Sequence, residues 1–243
     1  SLVMIVSSGV IWSRPVKDAL LEWVPDVLLA DLLGSSEGVG FGSWVAKRGR
    51  STTTASFRLG DDARVFTDEG REVAPGSGEI GVLAVGGPIP IGYYKDPDKT
   101  AGTFRTFGGR VWSVPGDFAT VEEDGTIRLL GRGSVCINTA GEKVYPEEVE
   151  EALKLHPAVH DANVVGLPDE TWGQSVTGVV SLEPDAVDSD DLRAAVIAHT
   201  KEHLAGYKCP KALVVVDRIH RGPNGKADYR WATDVAAAGL TTG

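Results

Sequence analysis

The sequence predicts an α/β fold that passes into a small antiparallel β region and closes with a compact α+β unit. Three observations carry this. Residues 1–45 alternate strand and helix signals around a glycine-rich loop. Residues 51–130 break into short β runs separated by Gly, Pro and Asp. Gly131-Arg132-Gly133-Ser134 then marks a change of pattern, with two glycines where one regime ends and the next begins. The 243 residues accommodate one large domain or two unequal ones.

The first element is the apolar run Leu2-Val3-Met4-Ile5-Val6, bounded by Ser7-Ser8-Gly9. Ser1 stands almost inside this strand, so the reading expects partner strands upstream and a chain that is part of something longer. Ser13-Arg14-Pro15 starts a helix with proline at its first turn, Leu20, Leu21 and Trp23-Val24 give it an apolar face, and Pro25-Asp26 ends it. Val27-Leu28-Leu29 is a second short strand, followed by the turn-rich Gly34-Ser35-Ser36-Glu37-Gly38. Val82–Val85 and Thr126–Leu130 are strands of the antiparallel region, which has the look of a small barrel or distorted sheet. Asp124-Gly125 supplies the positive φ of a hairpin.

Beyond the glycine break, Val144-Tyr145 leads through Pro146 into a helix with Val149, Ala152 and Leu153 inward. Strands are expected near 159–165 and 176–182. Asp188 and Asp191 frame a helix with Leu192, Ala195, Val196 and His199 on one face, and Leu213–Val216 is a β-branched strand.

Composition excludes several classes of function. Hydrophobic residues at 42% and charged residues at 24% are ordinary for a globular chain and exclude a fibre or a disordered tail. A net charge of -10 repels a phosphodiester backbone, so no nucleic-acid partner is expected beyond a single nucleotide in a local cationic pocket. Cys136 and Cys209 are too few for a disulfide framework or a cysteine zinc site. No apolar run approaches the roughly 18–20 residues of a membrane span, and no signal-peptide pattern opens the chain. A cytoplasmic protein is expected, with peripheral membrane association and oligomeric state left open.

Three short motifs carry chemistry. Gly34-Ser35-Ser36-Glu37-Gly38 is either an ordinary turn or a loop whose small residues admit a phosphate and whose Glu37 offers oxygen to Mg²⁺. Asp117, after Pro115-Gly116, is either a solvated turn residue or an acceptor for two ribose hydroxyls. Pro223-Asn224-Gly225-Lys226 puts a lysine on a tight turn, where an ammonium can neutralise charge on a carboxylate or phosphate.

Their order changes their weight. The glycine-serine-glutamate loop precedes Gly78-Glu79-Ile80-Gly81, Gly92-Tyr93-Tyr94 with Thr100, and Gly116-Asp117. After these come Gly131-Arg132, Gly141-Glu142-Lys143-Val144-Tyr145-Pro146-Glu147-Glu148-Val149-Glu150, and Gly225-Lys226. This series resembles the adenylate-forming superfamily over nearly the whole chain, and its wording is most similar to actinobacterial fatty-acyl or steroid-acyl CoA synthetases.

The resemblance implies a ligase that activates a carboxylic acid with ATP to an acyl-adenylate and passes the acyl group to CoA. It implies Ser36 at phosphate, Glu37 at Mg²⁺, and Asp117 with Arg132 at the ribose. Lys226 would bridge carboxylate and α-phosphate, Ser134 would be the hinge, and the Gly141 loop would line the thiol route. It divides the chain at 131/132, with residues 1–131 the C-terminal portion of a larger adenylating domain and 132–243 a small mobile lid. It also implies that the phosphate loop and most of the acyl pocket lie upstream, so that this piece alone would be inactive. Departures stand at Leu33, where an aromatic residue is usual, at Pro115, Val135 and Asn138, and at His220 and Gly222. A domain that loads a carrier protein, or a nucleotide binder without turnover, is the alternative.

Overall fold

A computed structural model describes residues 2–10, 12–50 and 53–241. The chain forms two compact units, Ser1–Leu130 and Gly131–Gly243.

The first unit runs β1 (Met4–Ser8), α1 (Arg14–Trp23), β2 (Leu28–Ser35), β3 (Gly38–Ala46), β4 (Ser56–Leu59), β5 (Ala63–Phe66) and β6 (Gly81–Val85). It continues with α2 (Pro97–Thr103), β7 (Phe104–Phe107), β8 (Arg110–Ser113), β9 (Asp117–Val121) and β10 (Thr126–Arg132). β1 and β2 are parallel, joined by α1 as a crossover, which is the expected α/β grammar. From β2 onward the pairings are antiparallel, in the order β1-β2-β3-β4-β10-β9-β6-β8-β7 with β5 on β6. The expected barrel-like region is therefore an open stretch of one ten-stranded sheet among the described residues.

Two local expectations change. The strand expected at 27–29 extends to Ser35, so Ser36 and Glu37 form the two-residue turn of a hairpin in which Ser35 pairs with Gly38. α1 carries Pro15 in its first turn as expected, yet Trp23 is 85% exposed while Lys17 is only 1% exposed. Lys17 earns that place through an ion pair with Asp31 of β2, itself 6% exposed, and a 2.6 Å bond from Nζ to the Thr53 carbonyl. A buried charge needs such a partner. Leu21, Val27, Leu29 and Ala46 complete the apolar contact on that side.

The second unit runs β11 (Ile137–Thr139), β12 (Glu142–Val144), α3 (Pro146–Leu153), β13 (Val159–Asp169), β14 (Gly173–Leu182), α4 (Asp190–Thr200), β15 (Ala212–Val215) and α5 (Tyr229–Thr241). Its sheet has the order β12-β11-β14-β13, with β15 parallel to β14. β13 and β14 alternate from Asp161 onward, after a register shift between Val159 and Asp161. Ala162, Val164, Val176 and Val180 pack with α3 and α4, whereas Val165, Leu167 and Val179 face Ala232 and Ala236 of α5. Both faces are thus apolar, which is why these strands run longer than the expected 159–165 and 176–182. α4 is capped by Ser189, whose Oγ accepts from Leu192 N–H at 3.2 Å. Asp188 instead grips Arg193 through two bonds of 2.6 and 2.8 Å, and Ala195 faces solvent.

Candidate functional site

In the first unit the acidic turn is built by the β2–β3 hairpin. Ser36 is exposed at its tip, and Glu37 is half-buried, its N–H donating to Ser35 Oγ at 3.2 Å. Glu37 Oε1 accepts from the Tyr93 hydroxyl at 2.5 Å. Tyr93 is placed in turn by its own N–H, which donates to Thr100 Oγ1 at 2.9 Å at the start of α2, and by Lys99 Nζ 3.9 Å from its ring centroid. A bond across 56 positions of sequence therefore fixes one carboxylate oxygen of Glu37. Leu33, one turn of strand earlier, is half-buried against the Phe41–Ile127 core. Asp117 is half-buried at the first position of β9, whose next residues Phe118 and Ala119 pair with Val82 and Gly81.

In the second unit the candidates lie at three places. Arg132 and Ser134 are exposed where the chain leaves β10, Ser134 inside a single 3-10 turn over Gly133–Val135. Arg132 N–H donates to Glu147 Oε1 at 3.4 Å. Gly131 has φ +141°, and a Cβ there would lie 2.1 Å from Glu147 Oε2, so a side chain here strains the backbone and displaces the Glu147 carboxylate. Gly141 forms with Ala140 the two-residue turn joining β11 to β12, both at positive φ (52° and 84°), and the turn is exposed. Ala140 N–H donates to the Trp172 carbonyl at 2.9 Å.

Lys226 is exposed on a braced turn. Gly222 N–H donates to the Lys226 carbonyl and Gly225 N–H to the Gly222 carbonyl, each at 2.9 Å, while Lys226 N–H donates to Asn224 Oδ1 at 3.2 Å. Arg221 anchors the base of this turn. Its Nη2 and Nε donate to the two oxygens of Asp161 on β13 at 2.6 and 2.8 Å, and Nη1 reaches the Gly225 carbonyl at 3.4 Å. Burial alone would raise the Asp161 carboxyl, but the Arg221 bonds and charge outweigh it and hold it below the usual range. Close by, Glu150 of α3 is 6% exposed and accepts from Val164 N–H at 3.0 Å. Burial first, and the charge of Glu147 second, push its carboxyl up to about 8. Tyr229, hydrogen-bonded to Glu150, is likewise pushed up by burial and remains protonated.

Residues 148–226 match the AMP-binding enzyme C-terminal domain. The chain is 47% identical over 237 residues to a 3-oxocholest-4-en-26-oate–CoA ligase of Rhodococcus rhodochrous, covering 96% of this chain and 42% of that protein. It is 48% identical to a medium/long-chain-fatty-acid–CoA/3-oxocholest-4-en-26-oate–CoA ligase of Mycobacterium tuberculosis, covering 98% and 43% respectively. Among solved structures, the anthranilate–CoA ligase AuaEII in complex with anthranoyl-AMP superposes with a TM-score of 0.80 at 27% identity, over 97% of this chain and 45% of that one. The chain is thus similar to adenylate-forming enzymes over nearly its whole length, and to the C-terminal domain model over residues 148–226. The amide bond synthetase McbA of Marinactinospora thermotolerans also superposes, with a TM-score of 0.78 at 27% identity over 96% and 46%. The chain thus spans less than half the length of the curated relatives it matches.

The candidate residues are distributed over both units: Ser36, Glu37 and Asp117 in one, Arg132, Ser134, Gly141 and Lys226 in the other. The donor set at the hairpin fits Mg²⁺. A half-buried carboxylate with one oxygen oriented by a tyrosine, beside an exposed hydroxyl, is hard oxygen chemistry with room for water and phosphate. Tyr93, Arg221 and Asp161 escape a reading of the sequence alone. Gly92-Tyr93-Tyr94 is conspicuous as a motif, but nothing local pairs it with Glu37. Arg221 stands five positions before Lys226, and its partner lies 60 positions upstream. Among the described residues no helix is long and apolar enough to cross a membrane.

Proposed function

We propose that the chain is the C-terminal part of an AMP-forming acyl-CoA ligase that activates a fatty or steroid side-chain acid. The observation that carries this reading is identity of 47–48%, sustained over 96–98% of the chain, with ligases named for those acids.

The residues support it in named roles. An anionic acid must approach an anionic phosphate, and that approach is repulsive until a cation stands between them. Lys226 supplies it: an exposed ammonium on a turn whose backbone is braced and whose base is pinned by Arg221 to Asp161. Such a charge, preorganised rather than recruited from solvent, stabilises the negative charge that develops as the carboxylate attacks the α-phosphorus and pyrophosphate leaves. Asp117 accepts the ribose hydroxyls, and Arg132 donates on the same nucleotide. Bound Mg²⁺ would neutralise the triphosphate, with Glu37 offering it oxygen and the Ser36 hydroxyl contacting phosphate. In the second half-reaction the thiol of CoA attacks the acyl carbonyl and AMP departs. Lys226 has no task in that step, and the exposed Ala140-Gly141 turn is the surface assigned to the thiol's approach. One polypeptide thereby serves two reactions with different charge requirements, exchanging one small-unit element for another.

The test is acid-dependent ATP–pyrophosphate exchange by the protein with its upstream part in place, using fatty, aromatic and steroid acids, then addition of CoA. Exchange followed by thioester formation with a fatty or steroid acid is expected. Exchange without thioester would transfer the reading to a carrier-protein or amine acceptor. No exchange from a folded protein that binds ATP would overturn it.

A further inference from the structure

Three of the chain's five histidines meet at the end of α4, in the Gly131–Gly243 unit and apart from every residue given a role above. α4 continues past Thr200 as a helical turn, with Lys201 N–H on the Ile197 carbonyl at 3.3 Å and Leu204 N–H on the Thr200 carbonyl at 3.1 Å. His199 and His203, four positions apart, therefore lie on one face. Their rings stand edge to face with centroids 4.8 Å apart. Glu202 joins them, its carboxylate 3.6 Å from His199 Nδ1, and one ligand atom from each of the three lies within 4.8 Å of the others.

The chemistry of this set is specific. Two imidazoles and a carboxylate are borderline donors, suited to Zn²⁺ and its first-row neighbours rather than to Mg²⁺ or Ca²⁺. Bonds of about 2.0–2.2 Å to such an ion require donor atoms about 3.3 Å apart in a tetrahedron, so the set must close by up to about 1.5 Å. Glu202 and His203 are exposed and can turn to do so. His199 is the fixed member. It is 27% exposed in its side chain, and its Nε2 is enclosed without a hydrogen-bond partner, so no hydrogen bond at that atom accounts for the ring's position.

His156 closes the far side, its ring 5.4 Å from that of His199. It is not a ligand. Its Nδ1 is occupied, accepting from Ala158 N–H at 3.2 Å.

We propose that His199, Glu202 and His203 bind a single divalent transition-metal ion of the Zn²⁺, Co²⁺ or Ni²⁺ class, water completing its shell. The ion ties the end of α4 into one rigid corner, and because the unfolded chain lacks the corner, binding stabilises the folded state.

Titration of the metal-free chain with Co²⁺, followed by visible absorption and by melting temperature, tests this. Expected are saturation at one equivalent, a rise in melting temperature with Co²⁺, and displacement by Zn²⁺. His203→Ala, an exposed change that leaves the core intact, should weaken binding about tenfold or more, and Glu202→Gln should weaken it as well. His160→Ala, away from the corner, should change nothing. Absence of saturable binding at millimolar Co²⁺, or unaltered affinity in His203→Ala, would overturn the proposal. So would loss of the signal in His160→Ala.

Discussion

Lys226 and Asp117 make different demands on their surroundings, and substitutions should separate them. Lys226 is exposed and contributes no core contact, so Lys226→Ala should melt with the parent protein. In the full-length enzyme it should lower pyrophosphate exchange about 100- to 1,000-fold, the typical loss when one preorganised charge partner of a transition state is removed. Formation of thioester from a supplied acyl-adenylate should proceed nearly as before; equal loss of both half-reactions would contradict the role given to this lysine. In the proposed role, Asp117 acts on the ground state. Asp117→Ala removes the acceptor for the ribose and should weaken AMP by about 1.5–3 kcal/mol, roughly 10- to 150-fold, in a calorimetric titration. An unchanged dissociation constant would withdraw the ribose assignment.

At the scale of elements, α3 is coupled to its surroundings through two acidic side chains that serve different neighbours. Glu147 reaches back to Gly131 and Arg132, and Glu150 reaches across to β13 and to Tyr229 at the start of α5. The raised Glu150 carboxyl makes this corner sensitive to pH. Below about pH 4.5 the group is protonated whether the chain is folded or not. From there to about 8 only the folded chain keeps the proton, so stability falls as pH rises, by at most about 1.4 kcal/mol per pH unit. Above 8 the carboxylate is charged in both states and the contribution is gone. Glu150→Gln retains the oxygen that accepts from Val164 N–H but cannot ionise. Its melting temperature should match the parent's at pH 5 and exceed it at pH 9; parallel curves across that range would show that Glu150 does not titrate in the window. None of this was visible from the residues of α3 by themselves. Pro146 at its first turn and the inward Val149, Ala152 and Leu153 follow from local pattern, as do the Asp124-Gly125 hairpin and the proline start of α1. What escaped is pairing at a distance: Lys17 with Asp31, Tyr93 with Glu37, and Arg221 with Asp161. A charge in an otherwise apolar stripe reads as an exposed residue until its partner on another element is known. The site was legible to the same degree. The residue types that carry charge and phosphate chemistry stood out as motifs, whereas the side chains that orient them did not.

For the whole molecule, the question raised by two compact units is whether each is a folding unit. The Gly131–Gly243 unit has what independence requires. Its sheet buries apolar side chains on both faces, against α3 and α4 on one side and α5 on the other. Arg221–Asp161 and Glu150–Val164 join elements of that unit. Gly131 makes the entry to it specific, since any side chain there would collide with Glu147, and the exposed 3-10 turn at Gly133–Val135 is the first backbone beyond it open to a protease. Limited proteolysis should therefore cut near Ser134 and leave a resistant C-terminal piece that melts cooperatively when isolated. Gly131→Ala should lower the melting temperature of the unit and speed that cut, because the left-handed backbone and the Glu147 contact are lost together. Digestion that proceeds through β13 and β14 as fast as through Gly133–Val135 would mean that the second unit draws its stability from the first. The proposed exchange of the Lys226 turn for the Gly141 turn would then lack the rigid body it needs.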